Sequence, residues 1–115
     1  MRKNFFMAEQ NDPSFNELFR AHPVPMWVYD LETLAFLAVN TAAVLHYGYS
    51  EAEFLTLRIT DLRPAEELPK LYANLKNAPI DTLEKSGVWR HCIRNGALID
   101  VEISSHPMTY HGRAC

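Results

Sequence analysis

Only two cysteines, Cys92 and Cys115, occur in the 115 residues, and neither belongs to a C-x-x-C pair. That spacing excludes a dithiol redox motif or a zinc knuckle, and both residues read as small apolar side chains in a reducing compartment. Charge of one sign is scarce as well. Eleven basic and fourteen acidic residues leave a formal charge of -3, with no basic run of the kind that nucleic acid or an acidic membrane requires. Long apolar runs are missing. Phe5-Phe6-Met7 behind Arg2 and Lys3 is too short for a signal-peptide core, and nothing approaches the roughly 20 apolar residues that cross a bilayer. The piece reads as cytoplasmic and without direct membrane contact, although an anchor elsewhere in a longer parent protein would not show here. Catalytic signatures are lacking too: no Gly-rich phosphate loop, no H-E-x-x-H and no Ser-His-Asp ordering. The domain reads as non-catalytic.

What is present is ordinary globular composition, 48% hydrophobic and 22% charged, which suits one domain with a modest core of its own. Residues 1–13 read as a tail and 14–115 as the domain. Ser14 with Glu17 three residues on forms a capping box for a first helix, which His22-Pro23-Val24-Pro25 must end near Ala21. Met26 to Tyr29 and Ala35 to Val39 read as a strand pair around an Asp30 to Thr33 turn. Asn40 caps a helix through Leu45, Gly48 ends it, and Ser50 with Glu53 makes a second capping box. Thr60 to Pro64 is a break. Ala65 to Asn77 is the longest periodic helix, with Leu68, Leu71, Tyr72 and Leu75 on one face. After a loop at Ala78 to Ser86, Val88 to Arg94 and Leu98 to Met108 read as strands joined by Asn95-Gly96, the strongest short hairpin signal. Ile99, Val101 and Ile103 alternate with Asp100, Glu102 and Ser104, and a last turn surrounds Gly112. Strand pairs flanking a helical block give an α+β fold, an antiparallel sheet with short helices on one face.

The order of these elements, and the residues at their joints, resemble the PAS sensory domain. Phe36 to Asn40 with Ala42-Ala43, Tyr47 to Ser50 with Glu53-Phe54, and Asp61 to Pro64 carry the resemblance in the first half. Trp89 to Ile93, Asn95-Gly96, Ile99 to Ile103 and Tyr110 to Arg113 carry it in the second. Residue by residue these positions are caps, turns and close-packing sites, so they speak for fold before ligand. The resemblance implies a five-stranded antiparallel sheet around a small cavity, in a bacterial signalling protein whose output is a histidine kinase or a cyclic-di-GMP module of the GGDEF/EAL kind. It makes the chain a sensory input domain that takes a small molecule, with cavity candidates Trp27, Tyr29, Leu37, Leu71, Leu75, Trp89, Val101 and Ile103. The alternative is a ligand-free dimerisation module with a filled core.

Against the resemblance, specific cofactors can be weighed. Thr56 to Asp61 has no cysteine, which argues against a cysteinyl-flavin adduct, and Ala65 to Asn77 has no histidine to ligate haem axially. Non-covalent flavin stays open, with Trp27 and Trp89 as its candidate walls. His106, His111 and Cys115 flank a turn and should diverge, so no metal set is expected. His46 suits the negative end of its helix, His22 is loop punctuation, and His91 could face either the cavity or an edge. Relatives carry one further central strand after the Gly112-Arg113 turn, of which this sequence holds only Arg113 to Cys115. The expectation is that a swapped segment from a second copy, the tail around Phe5-Phe6-Met7, or a collapse of the sheet closes that gap, which favours a homodimer.

Overall fold

The computed structural model describes residues 13–77 and 84–115. Helix α1 (Pro13–Ala21) leads into β1 (Trp27–Tyr29) and β2 (Phe36–Val39), followed by α2 (Thr41–Tyr47) and α3 (Glu51–Phe54). Two 3-10 turns, Ile59–Leu62 and Ala65–Glu67, precede α4 (Leu68–Asn77). The chain then forms β3 (Glu84–Cys92), β4 (Leu98–Ser105), β5 (Thr109–Tyr110) and β6 (Arg113–Ala114). The strands group as three antiparallel pairs, β1–β2, β3–β4 and β5–β6, where a single sheet was expected. The strand placed to join the outer pairs is β6, and it has two residues. It nevertheless occupies the joining position: the Ala114 carbonyl accepts from the Leu31 amide at 3.0 Å, and Arg113 reaches Asp30 at 2.7 Å. The proposed filling by the Phe5-Phe6-Met7 tail lies outside the described residues.

The joints behave as the residue chemistry requires. Asp30 opens the β1–β2 turn by accepting the amides of Glu32 and Thr33 on one carboxylate oxygen, while Arg113 takes the other. Those contacts, the Thr33 amide foremost, hold the carboxyl below its ordinary range. The Asn40 side chain caps α2 at Ala43, and Ser50 with Glu53 closes a reciprocal capping box on α3. The Ser14 side chain lies outside what is described.

Gly48 ends α2 at φ +87, and its amide donates to the Val44 carbonyl. A Cβ there would sit 3.3 Å from Cβ of Arg94, whose amide donates to the Tyr47 carbonyl. Left-handed backbone costs a side-chain-bearing residue about 1–2 kcal/mol. Gly48→Ala should therefore lower stability by about that amount in a urea titration, and a variant equal to the parent would show that α2 tolerates another ending.

Four expectations shift in the second half. The 60–64 break contains a 3-10 turn that buries Ile59 and Leu62. The segment read as one helix from Ala65 divides into a second 3-10 turn, Ala65–Glu67, and α4. Leu71 becomes the buried position, while Tyr72 is 52% exposed and leaves the inner face. Strand β3 starts at Glu84, four residues ahead of Val88, and absorbs a register shift between Lys85 and Gly87, where Gly87 has φ +87. Strand β4 stops at Ser105 because Pro107 follows and cannot donate to a ladder. The chain resumes as β5, locked to the terminus by the reciprocal amide–carbonyl pair of Met108 and Cys115. The Asn95-Gly96 turn joins β3 and β4 as expected, with Gly96 at φ +90. The core, made of Phe36, Val39, Ala43, Tyr47, Phe54, Ile59, Leu62, Leu71 and Trp89, lies between strands and helices. Among the described residues no helix is long and apolar enough to cross a membrane.

Candidate functional site

Strand geometry determines what faces this interior. Trp89 pairs with Val101 and His91 with Ile99, so one face of the β3–β4 hairpin presents Trp89, His91, Ile99, Val101 and Ile103 together. Arg90, between the two aromatic positions, is exposed. From the other side β1 supplies Trp27, β2 supplies Phe36, and α2 and α3 supply Tyr47 and Phe54. The rings interlock edge to face: Trp27 on Phe36 at 5.2 Å, Trp27 on Tyr47 at 5.3 Å, and Phe36 on Phe54 at 5.1 Å between centroids.

Within this apolar cluster sits one imidazole. His91 is 0% exposed, stacks 6.0 Å from the Trp27 ring, and its Nδ1 lies 2.7 Å from the Tyr47 hydroxyl. Burial, helped by the charge of Arg63, depresses its pKa to about 3, so the ring is neutral. Burial likewise pushes Tyr47 up to about 12, which keeps its hydroxyl proton in place. The Nε2 of His91 is buried and has no hydrogen-bond partner among the described residues.

A second polar group enters from the 3-10 turn before α4. Arg63 donates from Nη1 to the Ile59 carbonyl at 2.7 Å and lays its guanidinium over Trp89, 5.1 Å from the ring centroid. Its Nε is buried and has no hydrogen-bond partner among the described residues, and burial lowers its pKa. The ion pairs among the described residues are Arg20–Glu51, Arg90–Asp100, Arg94–Glu53 and Arg113–Asp30, so Arg63 makes no close ion pair there, and Glu67 acts on it as a nearby opposite charge that offsets part of the burial effect. Lys70 stands 4.4 Å from the same indole and donates to the Val88 carbonyl. Glu67, the nearby acid, is engaged by the Arg90 amide at 2.9 Å.

Of the eight candidates read from sequence, Leu71 and Trp89 are core members, and Trp27, Tyr29, Leu75, Val101 and Ile103 pack against the core half-buried. Leu37 stands outside it. Phe36 and Val39 take the inward places on β2, and Leu37 lies opposite the register shift between Val28 and Tyr29. An open groove of about 580 Å³ lies elsewhere, between the end of α2 and the β3–β4 turn, lined by Leu45 to Gly48 and Ile93 to Asn95, with none of the eight in its wall. The sequence reading left His91 open and gave Arg63 no role beyond the family motif. The parity of β3 was the available signal, since a strand that turns Trp89 inward turns His91 inward too.

No family model matches the sequence, and no curated protein matches it either. Solved structures do. The PAS domain of an HTR-like protein from Haloarcula marismortui aligns with a TM-score of 0.76 at 19% identity, over 99% of this chain and 93% of that one. A domain of a sensory box sensor histidine kinase/response regulator from Geobacter sulfurreducens gives 0.64 at 24% identity, over 86% and 90%. A PAS domain from a two-component sensor histidine kinase gives 0.65 at 18% identity, over 98% and 90%.

Proposed function

We propose that this chain, which has the PAS fold, is a non-catalytic sensory input domain that binds a small molecule between its sheet and helices. On this reading it controls an output module of a larger signalling protein, a histidine kinase or a cyclic-di-GMP module. The observation that carries the proposal is the polar group in the core: His91 with an unpartnered Nε2 at full burial. A core that served packing alone would gain by an apolar ring there, since an unmet buried donor costs about 1–3 kcal/mol. The origin of two neighbours in sensor histidine kinases supports the sensory role.

The dimerisation reading rests on a different observation. Leu18 on α1 and Leu45 on α2 are 72% and 78% exposed, and the two helices pack together. Native mass spectrometry of the purified chain separates the two. A co-purifying small molecule on a folded protomer is the expected result. A bare dimer that takes up nothing from a metabolite mixture, while Leu18→Glu with Leu45→Glu makes it monomeric, would overturn the sensing reading.

A further inference from the structure

We propose that residues 65–77, the second 3-10 turn together with α4, form a hinged lid over Trp89 that opens as a unit while the rest of the domain stays folded. The lid is fastened at two points to one edge of β3. Glu67 accepts the Arg90 amide at 2.9 Å, and Lys70, one turn further on, donates to the Val88 carbonyl at 2.7 Å. Alternate residues of an antiparallel ladder aim their backbone groups at opposite edges, so where Trp89 pairs with Val101 its two neighbours face away from β4. Among the described residues no strand pairs with that edge. An open edge of this kind offers its amides and carbonyls to any other extended chain. Here a carboxylate meets the amide and an ammonium meets the carbonyl, and the same ammonium lies 4.4 Å from the centroid of the Trp89 ring.

The fixed and moving sides meet at Arg63 and Pro64. Ahead of them Ile59 and Leu62 are buried in the core, and the Arg63 guanidinium is tied back to the Ile59 carbonyl at 2.7 Å. Both joint residues are extended, with ψ of 140 and 155. The Arg63 amide donates backward to Thr60, the Pro64 carbonyl accepts forward from Glu67, and proline has no amide to bond across the joint. Each 3-10 turn therefore closes on itself, and the joint between them can rotate with both intact. Beyond it the lid is thinly held. Leu71 is the buried residue of α4, Leu68 and Leu75 meet the core half-buried, and both clasp bonds are exposed, where water competes for each partner. Segments with few buried apolar contacts and exposed hydrogen bonds are the ones that open short of global unfolding. On the reading of the interior as a ligand site the lid is the way in, but the device itself stands on the β3 edge and the joint, whatever the interior holds.

The test is amide hydrogen exchange of the whole chain, followed residue by residue by NMR at low urea and corrected for intrinsic rates. The Arg90 amide and the α4 amides from Tyr72 onward should exchange through one shared opening, about tenfold or more faster than the Trp89 and Val101 amides of the β3–β4 ladder. Urea should hardly change that opening while it speeds the ladder, because the lid exposes little surface. Lys70→Met leaves the Glu67 bond in place, yet it should speed exchange at Arg90 and along α4 together by about tenfold, the worth of one charge-assisted hydrogen bond. Exchange of α4 and Arg90 only at the rate of the ladder would make residues 65–77 part of one cooperative core and overturn the lid. A fast Arg90 amide beside a slow α4 would overturn it too, since a side chain would then be letting go by itself. So would a Lys70→Met variant that speeds α4 and leaves Arg90 as it was. The parent pattern is read with no ligand and no variant, so failure of the sensing reading leaves the lid standing, and failure of the lid leaves a co-purifying ligand standing.

Discussion

Asn40→Ala should cost about 3 kcal/mol and lower the melting temperature by roughly 15 °C, more than any helix cap alone accounts for. The side chain is 1% exposed and uses all its bonding capacity. Its Oδ1 accepts from the Ala43 amide at 3.0 Å and from the Met26 amide at 2.9 Å, while Nδ2 donates to the carbonyls of Val24 at 2.9 Å and His22 at 3.3 Å. One residue thus caps α2 and clamps the proline-rich connector that delivers β1. Removing it loses a cap worth about 1 kcal/mol and leaves connector amides and carbonyls unmet, at about 1–3 kcal/mol for a buried group. Asn40→Asp separates the two roles. Aspartate caps as well as asparagine and suits the positive end of a helix, yet it would turn a carboxylate oxygen toward two carbonyl oxygens. The Asn40→Asp variant should lose nearly as much as Asn40→Ala in urea titration. If it matches the parent, Asn40 is a cap and nothing more.

That residue shows what the sequence disclosed and what it withheld. The cap was legible, because asparagine before an amphipathic run signals a helix start whatever the rest of the chain does. The clamp was not, because it joins residues 14 to 18 positions apart and depends on where two prolines bring the connector back. The same division runs through the chain. Gly48, the Ser50–Glu53 box and Asn95-Gly96 are local devices, each visible within four residues, and each holds in the structure. Tyr72 was misplaced because the apolar stripe of α4 is narrower in the structure than its spacing allows: Leu68, Leu71 and Leu75 meet the core, and the edge position is left half exposed, which depends on what packs against the helix. Leu37 falls opposite the register shift of the β1–β2 pair, an irregularity that alternation along a strand does not foresee. The placing of Arg63 over Trp89 was hidden for the clamp's reason: one residue ends a turn, the other sits mid-strand, and only tertiary packing brings them together.

Unfolding of this chain should take up close to one proton between pH 6.5 and pH 4.5, and His91 should be the residue that takes it. The folded ring has its pKa pushed to about 3, chiefly by burial against Trp27 and Tyr47 and then by the Arg63 charge, against an ordinary value of 6.5. Between those values the unfolded chain binds the proton and the folded chain does not, so stability must rise with pH. The contribution is complete above pH 6.5 and declines as the pH falls toward 3. Its slope approaches 1.36 kcal/mol per pH unit, the free energy equivalent of one proton. By pH 4.5 about 2 kcal/mol should be gone. Asp30 and Glu53 are also held below their ordinary range, Asp30 chiefly by the Thr33 amide and Glu53 chiefly by the Ser50 amide. Their stabilisation is present above the ordinary carboxylate range and is lost only as the pH falls below it, so it lies at the acid side of the His91 window. Urea titrations at half-unit intervals measure the slope directly. The Tyr47→Phe, His91→Phe double variant removes the titrating ring and the hydroxyl that depends on it while keeping an aromatic ring at both positions. Its stability should be flat from pH 6.5 to 4.5, and a double variant that keeps the parent's slope would show that the proton goes elsewhere.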